Sequence, residues 1–269
     1  MAGDQPGKGQ IALITGASAG IGEALAKRFA RAGYHLVLVA RSADKLKALA
    51  QTLTEQHGVK TWVSAADLSE PDAAERLAAA MRRARRPIDV LVNNAGVLEH
   101  GNFVDTSAAR HLELIALNVA GLTAMLAHFV PPMVTRGHGR VLNVGSIAAF
   151  QPIPMLATYA ATKAYVLSLT ESLSEELKGT GVSISALCPG ITDTGMLAGA
   201  RQGSKELNKL PKFLIGDADA VADEGFEACI SGRVICVPGA VNQAAMLASR
   251  ATPKWLLRRV SGAMMRGVK

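Results

Sequence analysis

Only three cysteines, Cys188, Cys229 and Cys236, occur in the 269 residues, and no two of them form a CxxC pair. An odd, widely spaced set builds no disulfide framework, so a reducing compartment, the cytoplasm, is expected. The segment Met1 to Gln10 carries Asp4 and Lys8 and lacks the apolar core of a secretion signal. An unbroken membrane-spanning run is also missing. The most apolar stretch, Leu112 to Val130, is interrupted by Glu113, Asn118 and His128, so it reads as a buried helix. No linker, repeat or low-complexity segment divides the chain. With apolar residues at 49% and charged residues at 19%, one packed domain over residues 1–269 is expected, its core running from about 9 to 239.

Charge of one sign is in excess, at a net +7. The cluster Arg82, Arg83, Arg85, Arg86 falls where a helix should end, which suits the helix dipole, and is read as a solvated face. No nucleic-acid partner is expected. Residues 253–269 interleave Trp255, Leu256, Leu257, Val260, Met264 and Met265 with Lys254, Arg258, Arg259 and Arg266. That pattern predicts a basic amphipathic helix, packed on the body or on a partner subunit, with peripheral membrane contact as the lesser alternative.

What is present is a regular alternation. Short β-branched runs appear at Ile11 to Thr15, His35 to Ala40, Thr61 to Ala65, Val90 to Asn93, Val141 to Val144, Val182 to Leu187 and Val234 to Val237. Helical periodicity fills the intervals at Ile21 to Ala32, Ser42 to Gln56, Pro71 to Arg83, Ala109 to Arg136 and Thr158 to Lys178. Strands apolar on both faces, joined by helices, require a parallel sheet covered on both sides. The expected fold is α/β, a Rossmann-type doubly wound domain of about seven parallel strands. One long irregular stretch, Gly190 to Gly216, is expected to act as a lid or binding segment.

The first strand runs into Thr15-Gly16-Ala17-Ser18-Ala19-Gly20-Ile21-Gly22. Glycines at 16, 20 and 22 allow a tight turn and bring backbone N–H groups close to a pyrophosphate at a helix N-terminus. TGASAGIG resembles the glycine motif of the short-chain dehydrogenases/reductases. In that family the acid that marks NAD enzymes falls at the position of Ala40, so Ala40-Arg41 resembles the NADP pattern. The resemblance then implies that Arg41 receives the 2′-phosphate, with Ser18 assisting. The resemblance further implies coenzyme contacts from Asp67 and Leu68, and from Asn94, Ala95 and Gly96 of the NNAG segment. In Cys188-Pro189-Gly190-Ile191-Thr192-Asp193-Thr194 it implies contacts from Pro189, Gly190, Ile191 and Thr194, with Thr192 less favoured. The implied cofactor is NADP(H), and no metal is expected.

Tyr159 and Lys163 lie four apart, on one helical face, after Ser146 at the end of a strand. A phenol with an ordinary pKa near ~10 needs a neighbouring cation to become a useful base, and Lys163 supplies one. By resemblance, Asn118, Ser146, Tyr159 and Lys163 form the family's catalytic tetrad, Asn118 holding a water and Lys163 also binding the nicotinamide ribose. The implied reaction moves a hydride between nicotinamide and a carbonyl or alcohol carbon. Phe150, Gln151, Ile153, Met155, Met196, Leu197 and the Val97 to Asn102 segment suggest a mainly apolar small-molecule substrate. A homodimer or homotetramer is expected. The alternative is a catalytically silent coenzyme sensor or scaffold working through the tail; loss of Tyr159 or Lys163 would mark it, and both are present. An epimerase or lyase ranks below both.

Overall fold

A computed structural model describes residues 6–202, 215–253, 255–259 and 262. Seven strands form one all-parallel sheet: β1 Ile11–Thr15, β2 His35–Ala40, β3 Thr61–Ala65, β4 Val90–Asn93, β5 Gly139–Val144, β6 Val182–Leu187 and β7 Ile235–Cys236. Their spatial order is 3-2-1-4-5-6-7. The order reverses between β1 and β4, so loops leaving their carboxyl ends diverge and open a crevice there.

The helices are α1 Gly20–Arg31, α2 Ala43–His57, α3 Ala73–Arg83, α4 Ala108–Ile115, α5 Leu122–Arg136, α6 Ala157–Glu176, α7 Gly195–Gln202, α8 Ala218–Ser231 and α9 Ala240–Ala251. Residue parity assigns the sheet faces. Ala12, Ile14, Leu36, Leu38, Val90 and Val92 belong to one core, with α1, α2 and α8. Their neighbours Leu13, Val37, Val39 and Leu91 belong to the other, with α3, α5 and α6. That is the period-2 consequence of a pleated strand buried on both sides. On the first face Phe29, Tyr34 and Phe226 meet edge-on, and the Arg28 guanidinium lies 3.7 Å over the Phe226 ring, tying α1 to α8.

Two features depart from the sequence reading. The helix expected over Ala109 to Arg136 is broken by a π-helical segment, Ala116–Gly121, between α4 and α5. Gly121 is pressed there against the Leu68 carbonyl, which a Cβ would approach to 2.3 Å. The stretch Gly190 to Gly216 is not wholly irregular, because α7 forms within it, and Thr192 pairs with Gly216 across its neck. Residues 203–214 of that stretch lie outside the described residues. In the tail, 255–259 is helical, with Trp255 and Leu256 exposed and Arg259 5.9 Å over the Trp255 ring. Lys254, Val260, Met264, Met265 and Arg266 lie outside the described residues.

The helical stretch Ala108–Arg136 is long and apolar enough to cross a membrane by length and composition. In this fold Leu122, Met125, Leu126, Phe129 and Met133 are buried, in the core shared with α3 and β5. All three cysteines are buried free thiols.

Candidate active site

β1 and α1 are joined by the glycine turn, and its neighbours leave room for nothing larger. Gly16 has φ 65°, and a Cβ there would lie 2.7 Å from Asn94 Nδ2; at Gly22 it would lie 2.3 Å from the Gly16 carbonyl oxygen. Asn94 Nδ2 donates to the Thr15 carbonyl (3.0 Å), while Thr15 Oγ1 accepts from the Asn94 and Ala95 amides (2.9 and 3.0 Å). The NNAG segment therefore braces the turn. Ala19, the residue before α1, offers no side-chain cap. The first N–H groups of α1 thus have no side-chain acceptor, as a bound pyrophosphate would require. Gly16, Ser18, Ala19, Gly20, Ile21 and Gly22 form a cradle that fits a dinucleotide.

Arg41 closes β2, is 66% exposed by side chain, and brings Nη1 to 3.8 Å from Asp67 Oδ2. Asp67 Oδ1 accepts from Ser69 Oγ (2.7 Å) and the Ser69 amide (3.0 Å). These bonds, more than Arg41, hold its carboxyl below the ordinary carboxylate range. Leu68 is buried beside Gly121. Among the described residues no hydrogen bond joins Ser18 to Arg41.

The four tetrad residues converge where β4, β5 and α6 meet. Ser146 follows β5, accepts from the Ala148 amide (3.1 Å) and hydrogen-bonds the Tyr159 hydroxyl. Lys163 Nζ donates to the Val144 carbonyl (2.8 Å) and lies 5.8 Å from the Tyr159 ring centroid. Tyr159 and Lys163 are only 8% and 6% exposed. A Cβ on Gly96 would lie 3.6 Å from Lys163 Nζ, so glycine leaves space for the ammonium.

Burial pushes the Lys163 ammonium down to about 8, and its neighbour Cys188, whose thiol burial raises to about 12, offsets little of that. Burial also pushes the Tyr159 phenol up, partly opposed by Ser146. Burial is the dominant influence on the phenol, whose net shift is upward.

Asn118 lies in the π-helical segment. Its Nδ2 donates to the Val97 carbonyl (2.9 Å) and Thr162 Oγ1 (3.2 Å), and its Oδ1 accepts from the Val97 amide (2.9 Å). Thr162 in turn donates to the Tyr159 carbonyl (2.7 Å). Asn118 therefore clamps the loop after β4 to α6, with both amide hydrogens engaged and one acceptor position left on Oδ1. Beneath it, Asn93 Nδ2 donates to Asn143 Oδ1 (2.9 Å), and Asn143 Nδ2 to Thr170 Oγ1 (3.0 Å). Sequence reasoning missed Thr15, Asn143, Thr162 and Thr170. The signal for Asn143 was present, since a carboxamide inside the apolar strand VLNV must find buried partners.

The Pro189 carbonyl accepts from the Ile147 amide (2.9 Å), and a Cβ on Gly190 would strike the Asn242 side chain. Thr194 touches the glycine turn, its Cγ2 lying 2.9 Å from where a Cβ on Gly20 would stand. Gly190, Ile191 and Thr194 thus sit on the segment that closes over the cradle. Val97, Leu98 and Ile153 pack with Tyr159, whereas Phe150 packs in the cluster of Cys188 and Val237. Met155 has φ 63°, and its carbonyl accepts from the Gly101 amide (2.9 Å), bridging the two loops beside Tyr159. Among the described residues no group of three or more His, Cys, Asp or Glu is placed to hold a metal.

Residues 10–205 match the family model described as short chain dehydrogenase. The chain belongs to the short-chain dehydrogenase/reductase family and is an NAD(P)-dependent oxidoreductase. An uncharacterized oxidoreductase of Staphylococcus epidermidis is 33% identical over 211 residues, covering 78% of this chain and 89% of that protein. A short-chain dehydrogenase from Sphingobium yanoikuyae, solved with NADPH, is 36% identical with a TM-score of 0.80, covering 90% of this chain and 93% of the other. A member from Burkholderia phymatum, solved with NAD, is 29% identical with a TM-score of 0.79, covering 89% and 92%. Relatives thus take either coenzyme.

Proposed function

We propose that the protein is an NADP(H)-dependent carbonyl reductase acting on a mainly apolar small molecule. The observation that carries this reading is the buried Ser146–Tyr159–Lys163 cluster beside a glycine cradle, with Ala40-Arg41 and no acid where β2 ends. Gly16 to Gly22, Asn94, Ala95 and Gly96 would hold the pyrophosphate and ribose; Pro189, Gly190, Ile191 and Thr194 would hold the nicotinamide end. When bound, the coenzyme supplies the hydride that the carbonyl carbon accepts.

Tyr159 Oη gives its proton to the carbonyl oxygen as charge develops there, and Ser146 Oγ orients that oxygen. The raised phenol pKa keeps the proton in place at neutral pH, which favours the reductive direction. Lys163, with a value of about 8, is mainly protonated at neutral pH and stabilises the phenolate left behind. Asn118 positions α6 through Thr162, and the remaining acceptor position on Oδ1 suits a relay water.

Arg41 is the test of coenzyme choice. Arg41→Asp should weaken NADPH binding by about ten- to a hundredfold, the range of a charge-assisted hydrogen bond, and spare NADH. Fluorescence titration reads both, and an unchanged NADPH Kd removes Arg41 as the phosphate ligand. Turnover against ketones, aldehydes, quinones, 3-oxoacyl thioesters and steroids then identifies the substrate class.

Self-association belongs to the same reading. Leu112 (64% exposed), Ile115 and Tyr165 present apolar surface beside a groove of about 400 Å³ lined by Val119, Ala157 and Ala161. A second copy covers this face. Sedimentation velocity should show a dimer or tetramer that Leu112→Glu with Ile115→Glu converts to monomer; an unchanged sedimentation coefficient rejects this face.

A further inference from the structure

A second cavity, of about 340 Å³, opens between the end of α3, the loop leading into β4, and α5. Five of its lining residues are basic: Arg82, Arg85, Arg86, His128 and Arg136. None is acidic. The remaining lining is apolar and includes Met81, Ile88 and Phe129. Two of the arginines are held in place. Arg136 Nη2 donates to the Ile88 carbonyl (2.7 Å), and the Arg86 guanidinium lies 4.3 Å over the Trp62 ring. Arg82 and Arg85 make no ion pair among the described residues.

Backbone conformation supplies an independent observation. Helices α2, α5 and α8 each run into a left-handed glycine, Gly58, Gly137 and Gly232. After α3 the left-handed residue is Arg85, at φ 52°. An arginine there is strained where glycine would be at ease, and such strain collects at ligand sites. The dipole of α3 accounts for cations near its end. It does not account for an arginine kept in that conformation, nor for a fourth arginine arriving from α5 around an apolar hollow.

The site lies away from the coenzyme cradle. Ile88 precedes β4 and Asn94 follows it, so about 20 Å of strand separates the two at ~3.3 Å per residue. We propose that this cavity binds a small organic anion bearing an apolar group, such as an alkyl phosphate, with Arg82 and Arg85 on the anionic head and Met81 and Phe129 against the chain. A free alkyl phosphate and a phosphomonoester lipid headgroup share this chemistry.

The probe is n-octyl phosphate, titrated calorimetrically into the full chain saturated with NADPH. Binding is expected, and Arg82→Ala with Arg85→Gly should weaken it by about fivefold or more while leaving the NADPH Kd unchanged. Arg85→Gly relieves the left-handed strain, so the variant should melt no lower than the parent chain, and loss of binding is then not loss of fold. Undetectable binding at millimolar probe, a loss smaller than about fivefold, or binding seen only without NADPH overturns the proposal. Sedimentation with phosphatidic acid vesicles tells the sources apart. Pelleting that the double variant abolishes assigns a lipid headgroup, and protein left in the supernatant assigns a soluble anion.

Discussion

Replacing Tyr159 by phenylalanine is expected to lower kcat for ketone reduction by about 10²- to 10⁴-fold, the usual contribution of a positioned general acid. Coenzyme affinity should hold, because the ring and its packing against Leu114 and Ala148 remain. Steady-state kinetics together with fluorescence titration of NADPH separate these effects, and a variant that keeps full turnover overturns the mechanism. The raised phenol adds a pH signature. Reduction, which uses the protonated form, should stay flat through the neutral range. Alcohol oxidation, which needs the phenolate, should rise with pH through the neutral range.

Lys163→Met is the second large effect, with kcat expected to fall by about 10²- to 10⁴-fold once the phenolate loses its cation. The same variant isolates the thermodynamic cost of burying that charge. An unfolded chain holds the Lys163 proton up to an ordinary value of 10.5, whereas the folded chain holds it only to about 8. Below pH 8 both states are charged, and the burial penalty is present in full. Between the two values the unfolded state binds more protons, so the penalty is relieved as pH rises.

Wild type should therefore gain roughly 2–3 kcal/mol on Lys163→Met between pH 8 and about pH 10. The variant leaves the Val144 carbonyl without its donor, but that cost does not depend on pH and cancels in the difference. Urea denaturation of both proteins at the two pH values reads the gap. A constant gap means that Lys163 titrates normally in the fold.

Legibility from sequence followed the range of the interactions. Strands buried on both faces announce themselves as apolar runs, and β1 to β4 were readable to the residue; at β5 sheet pairing recruited Gly139 and Arg140, which have no strand-like composition. Tyr159 and Lys163 were readable because four residues is one helical turn. The π-helical segment was not, since its cause is the tertiary demand of Asn118 for Val97 and Thr162. The pairing of Arg41 with Asp67 was hidden for the same reason, as was the sign of the Tyr159 shift, which depends on how deeply α6 sinks against β5.

Leu114 and Met133 are both fully buried, one before the π-helical segment and one after it. They are nineteen residues apart, whereas five α-helical turns take about eighteen. In an unbroken helix the nineteenth residue would turn Met133 roughly 100° from the direction of Leu114. The wider π turn absorbs it and keeps both ends facing inward. The chain thus carries one surplus residue between them, located where Asn118 makes its clamp. A deletion within Ala116–Gly121 could leave the hydrophobic phase of the long helix intact and still dismantle the active-site scaffold. The helix and the catalytic centre are therefore separable by a single residue of length.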